Sequence, residues 1–168
     1  MRHIKFMPGA CLSAYLIGYA RGRFGKSCEI RSEEIGYEYA CGAVAALYFW
    51  AGLSKLWVVG FTWGQGGGLA MEILASTAGV TGWVGEMRSW IGTNAPLVSI
   101  LVLSTLLVEL TGLLFCFRSC RRAVAYSTTA MHGGVFALMG FHYIFLWSPL
   151  VLALALCPLG PTSSRSAQ

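Results

Sequence analysis

Residues 39–61 read YACGAVAALYFWAGLSKLWVVGF, and Lys55 is the only charge among them. At 1.5 Å per residue such a helix crosses the roughly 30 Å hydrocarbon core of a bilayer. Tyr37, Tyr39, Trp57 and Trp63 stand toward its ends, where an aromatic belt would lie. A second stretch, residues 96–117, PLVSILVLSTLLVELTGLLFCF, is more apolar still. Its one charge is Glu109, and Pro96 suits the first turn of a helix. Two such stretches predict an all-α integral membrane protein.

Composition supports the same class. Lys, Arg, Asp and Glu make up 11% of 168 residues, against roughly 25% in soluble domains. The apolar share is 56% and the mean hydropathy is +0.63. This balance argues against a soluble enzyme and against disorder. The net charge of +5 sits in clusters flanking apolar spans rather than in a continuous stripe. It therefore points to a membrane surface and not to nucleic acid. Six cysteines include no CxxC pair, so neither a metal centre nor a disulfide framework is expected.

The remaining segments are read around the two spans. Ala10–Ala20 is apolar but short, which predicts an interfacial or partly buried helix. Residues 62–95 read as a Gly-rich connection with a short amphipathic helix at 69–75, and Trp83 and Trp90 place it along the interface. Residues 123–159 hold no charge. One span near 124–146 is expected there, followed after Trp147-Ser148-Pro149 by a short or re-entrant piece. The result is a bundle of three to four transmembrane helices. It divides into an N-terminal segment 1–38, a membrane domain 39–159 and a polar tail 160–168. Basic residues at 21–31 and 118–122 place those segments in the cytoplasm.

Charges at bilayer depth are costly and mark candidate sites. Lys55 is close enough to its helix end to snorkel. Held inside, it would be an amine base, because burial disfavours the ammonium. Glu109 lies eight residues before Phe117 and is too short to snorkel well. It pairs with Lys55 across a helix interface or stays protonated as a donor. His132 precedes Gly133 and Gly134, which permit close approach of a helix or ligand. His142 reads as packing or interface. The ten-residue spacing of the two histidines is not that of a metal pair. No HExxH, GxSxG, Walker or Rossmann pattern occurs.

The segment Gly52-Leu53-Ser54-Lys55-Leu56 resembles the Gly-x-x-Lys-Leu helix of vitamin K-dependent gamma-carboxylase-like proteins, which carry the HTTM (horizontally transferred transmembrane) domain. Trp63-Gly64-Gln65-Gly66 then resembles the family's Trp-x-x-Gly. Glu109 stands for its acidic residue, Arg121 and Arg122 for its basic turn, and His132 for its histidine. The ordered set covers roughly residues 40–158. Gly-x-x-Lys-Leu also occurs in small DoxX-like and MauE-like membrane proteins. The carboxylase resemblance implies a membrane site for vitamin K hydroquinone or another isoprenoid quinone. Lys55 would be the base, His132 would help form the site, and Glu109, Trp63 and Gly66 would bind the ligand. No metal is implied. The family's N-terminal helices and lumenal β-rich domain have no counterpart in the sequence, so a partial or divergent member is expected, with a membrane partner supplying helices. The DoxX-like alternative implies a non-catalytic assembly subunit in which Lys55 and Glu109 form an interhelical pair.

Overall fold

The computed structural model describes residues 7–24, 32–60, 66–141 and 143–157. Every regular element among them is helical. The elements are α1 (Met7–Phe24), α2 (Ser32–Val59), α3 (Gly67–Thr77), α4 (Trp83–Thr93) and α5 (Ala95–Leu110). A 3-10 segment (Thr111–Cys116), α6 (Arg121–Met139), α7 (Tyr143–Leu146) and α8 (Ser148–Leu156) follow. Two stretches, Ser32–Val58 and Ala95–Cys116, are long and apolar enough to cross a membrane.

Local chemistry sets several boundaries. Helix α2 begins seven residues before the expected start, because Glu33 and Glu34 favour a helix N-terminus and Tyr37 packs inward. The α5 start has the early proline expected of it and also a side-chain cap. The Asn94 side chain accepts from the Leu97 amide at 3.1 Å, and Pro96 sits in the first turn. The expected helix through Phe117 instead tightens to 3-10 geometry from Thr111. Gly112 there lies against α2, where an added Cβ would stand 2.5 Å from the Tyr48 Cβ.

Helix α1 is longer than the apolar stretch that announced it and packs antiparallel along the first half of α2. Gly18 and Gly22, four apart, make this possible. A Cβ on either would come within 2.8 Å of α2 backbone, at the Ile35 carbonyl and the Ser32 Cα. The 62–95 connection is not a single short helix in a loop. It is a hairpin of α3 and α4, with Trp83 and Trp90 exposed.

The last apolar region also departs from expectation. The span read at 124–146 ends at Met139, because Gly140 adopts a left-handed conformation that closes α6. The chain then doubles back through α7 and α8. The Tyr37 hydroxyl donates to the Leu154 carbonyl, so α8 ends beside the start of α2. Core residues Val44, Phe115, Ala125 and Val151 come from α2, the 3-10 segment, α6 and α8.

The two ends of this bundle differ in charge. Arg118 and Arg121 both donate to Glu38, and Arg21 donates to Tyr39, so these bases gather at one end. At the other end Arg88 donates to the Ala137 carbonyl at 2.9 Å, and Ser76 donates to the Leu138 carbonyl at 2.9 Å. These bonds clasp the α3–α4 hairpin to the C-terminus of α6. Arg121, expected in the basic 118–122 turn, is the first residue of α6 and is buried. It donates to the Phe115 and Cys116 carbonyls and lies over the Tyr37 ring. The 160–168 tail lies outside the described residues.

Candidate functional site

Helix α2 places Tyr48, Gly52 and Lys55 along one face, at spacings of four and three. Helix α5 lies against that face. A Cβ on Gly52 would stand 3.1 Å from the Glu109 Cβ, so the bare glycine lets α5 come near. Lys55 Nζ consequently donates to Glu109 Oε1. The Lys55 side chain is 27% exposed and that of Glu109 only 9%. Lys55 thus turns inward to its counter-charge instead of snorkelling.

Helix α6 supplies the third member. Its buried face runs through Arg121, Val124, Ala125, Thr128 and His132. His132 Nε2 and the Tyr48 hydroxyl are hydrogen-bonded at 2.8 Å. The two rings are tilted, and Trp147 closes the group with ring centroids 6.1 Å from Tyr48 and 6.0 Å from His132. His132 lies within electrostatic reach of Lys55, and Tyr48 within reach of Glu109. One interior cluster therefore combines an ammonium–carboxylate pair and a phenol–imidazole pair.

The hydrogen bonding of the cluster is incomplete. Among the described residues, Glu109 Oε2, Trp147 Nε1 and Ser148 Oγ are buried without a hydrogen-bond partner. Such groups are costly to leave unmet and point to a ligand or a water. Chemically, the arrangement offers a carboxylate oxygen able to accept a proton and, on Trp147 and Ser148, two groups able to donate.

A cavity of about 360 Å³ opens between α3, α5 and α6. Leu101, Val108, Met131 and Val135 make its walls apolar, and the Thr105 and Ser127 hydroxyls donate to carbonyls of their own helices. Lys55, Glu109 and His132 are not among its lining residues. Val108 and Met131 directly precede Glu109 and His132, so the cavity runs beside the cluster on the neighbouring helix faces.

The proposed ligand residues divide. Lys55, Glu109 and His132 come together, although 77 residues separate the first from the last. Gly66 does not join them. It packs on Val98, eleven residues before Glu109 on α5, which is ~16 Å along a helix. Its left-handed conformation starts α3. Trp63 and His142 lie outside the described residues. Tyr48 and Trp147 are the members that sequence reasoning missed as site residues. Tyr48 stands seven positions before Lys55, a spacing that shares a helix face, and that signal was available.

Comparison with protein-family models, with curated proteins and with solved structures finds no match.

Proposed function

We propose that this chain is a multi-pass helical membrane protein of the HTTM, carboxylase-like kind, whose Lys55–Glu109 pair takes a proton from the hydroxyl of an isoprenoid hydroquinone. The observation that carries the reading is the Lys55–Glu109 contact, with Glu109 Oε2 buried and without a hydrogen-bond partner among the described residues. Lys55 and Glu109 are two of the residues on which the family resemblance rests.

Membrane embedding rests on the outer surface. Only 28% of either candidate span is buried within the bundle, whereas the core helix of a soluble protein would be mostly covered. Trp50, Ile100, Leu103 and Leu107 face outward. In this reading α2, α5 with its 3-10 extension, and α6 cross the bilayer, and α7–α8 returns as a shorter fourth element. The basic end, with Arg21, Arg118 and Arg121, is cytoplasmic by the Lys/Arg bias.

A hydroquinone supplies an acidic O–H and the electrons for oxygen chemistry. The donor set fits such a hydroxyl, because Glu109 has a buried carboxylate oxygen in need of a proton. Lys55 holds Oε1, so the incoming proton goes to Oε2. A proton shift from Nζ to Oε1 lets it go to Nζ instead. On either route the ligand O–H bond breaks, one new bond to hydrogen forms on the pair, and the ligand oxygen keeps the electron pair. Tyr48 fixes the His132 ring through Nε2, so His132 is a positioning residue. The apolar cavity beside the cluster suits an isoprenoid tail.

The DoxX-like alternative, a non-catalytic subunit, draws on one observation. Lys55 is already engaged, and the cavity is not lined by it. The test is epoxide formation in lipid nanodiscs. Reduced vitamin K and one oxygen molecule give the epoxide and water. The wild type should form epoxide, and Lys55→Ala should lose about 100-fold or more, the scale of general-base catalysis. Lys55→Arg separates the two routes, losing as much where Nζ takes the proton, because arginine does not deprotonate, and keeping activity where Oε2 takes it. No epoxide from the wild type, or full activity in Lys55→Ala, would leave the structural pair as the better account.

A further inference from the structure

We infer that the break between α7 and α8 is an oxyanion site, in which Trp147 Nε1 and Ser148 Oγ hold the negatively charged oxygen of the bound ligand. The inference rests on the proton-accepting role proposed for Lys55–Glu109 and adds the place where the resulting anion is received.

Three features of this break support the inference. The Trp147 indole packs against Tyr48 and His132, which places this side chain in the same interior group. Among the described residues its Nε1 is buried with no acceptor. An indole nitrogen can only donate, so the missing partner must be an acceptor. Ser148 follows directly, is 4% exposed, and carries a second buried hydroxyl with no partner among the described residues. Both residues also open α8, a nine-residue helix with Pro149 in its first turn. The first turn of a helix presents amides without intrahelical acceptors and a positive partial charge. An indole N–H, a hydroxyl and a helix N-terminus together form a setting for one anionic oxygen.

The sequence pattern explains why the chain breaks here. Pro149 cannot donate a backbone bond to a preceding helix and suits only a first turn. The Trp147 carbonyl accepts from the Val151 amide and so begins the α8 ladder. In the first turn the Ser148 and Leu150 amides have no acceptor within α8, and Pro149 has no amide hydrogen. Glu109 accepts the proton, and the α8 N-terminus receives the charge left behind.

The test uses the full chain in neutral-lipid nanodiscs with 2-naphthol as the probe, a phenol whose anion has its own absorption band. At one fixed pH, the wild type should convert bound naphthol to naphtholate. Trp147→Phe keeps an aromatic ring and removes the N–H. It should lower the bound naphtholate-to-naphthol ratio about tenfold, as loss of a hydrogen bond to a charged group does. Ser148→Ala should lower it by a similar factor. Trp147→Phe alone decides if Ser148→Ala fails to fold. Wild-type ratios in both folded variants, with Glu109→Gln abolishing ionisation, would overturn the oxyanion site and leave the base reading standing. Absence of naphtholate with the wild type would overturn both.

Discussion

Gly52 on α2 faces Glu109 on α5 so closely that a side chain on the first would press on the Cβ of the second, 3.1 Å away. The glycine of the Gly-x-x-Lys pattern thus sets the distance over which Lys55, one turn later, meets its carboxylate. Gly112 repeats the device on the opposite helix, where the clearance to the Tyr48 Cβ is only 2.5 Å. Overpacking of this kind costs about 1–3 kcal/mol. Gly112→Ala should destabilise the protein by more than Gly52→Ala does. Thermal unfolding of the two variants in the same detergent checks the order.

The Lys55–Glu109 pair should behave as a coupled unit. Glu109→Gln leaves Lys55 without its counter-charge, and Lys55→Met strands a carboxylate that is almost fully enclosed. Breaking one side of a buried pair costs up to about 3–5 kcal/mol, to be discounted here because the lysine is 27% exposed. The double variant Lys55→Met with Glu109→Leu should recover much of the loss. A double-mutant cycle by denaturant titration measures that recovery.

Arg118 and Arg121 share Glu38 but differ in burial, with side chains 48% and 4% exposed. Arg121 also donates to two backbone carbonyls that end the 3-10 segment. A lysine cannot reproduce that fork. Arg121→Lys should therefore cost about 1–3 kcal/mol, the scale of unmet buried hydrogen bonds. Arg118→Lys should change stability by less than about 1 kcal/mol. Melting curves of the two variants separate them.

Cysteine exposure offers a test of topology. Cys116 is exposed at the basic end, whereas Cys11 and Cys41 are buried. In a variant with Cys28, Cys120 and Cys157 replaced by serine, a membrane-impermeant maleimide should label the protein from the basic end, and adding Cys116→Ser should lose most of that label. Labelling of Cys116 from the opposite face would reverse the orientation.

Much of the architecture was legible because it rests on composition. The apolar helices α2 and α5 follow from runs of apolar residues, and the α5 start follows from Pro96. The return at Gly140 was not legible. Residues 123–159 are apolar throughout, and a hydropathy reading has no means of telling which glycine takes the left-handed conformation. Helix α4 was hidden because Gly85 and Gly92 disguise a helix held by packing and by Arg88. At the site, Lys55 and Glu109 stood out because charge in an apolar run is costly. Tyr48 and Trp147 did not, since aromatic residues in such helices ordinarily pack. Gly66 misled because its spacing from Lys55 in the chain says nothing of the turn it builds against Val98.

The central claim is that the Lys55–Glu109 pair gains a proton when a hydroquinone binds. Infrared difference spectroscopy reads this directly, because a protonated carboxyl has a carbonyl band that a carboxylate lacks. Adding the reduced quinone to the nanodisc-embedded protein should make a carboxyl band grow, and Glu109→Gln should abolish it. A spectrum without that band in the wild type, with binding of the quinone demonstrated in the same sample, would contradict the account.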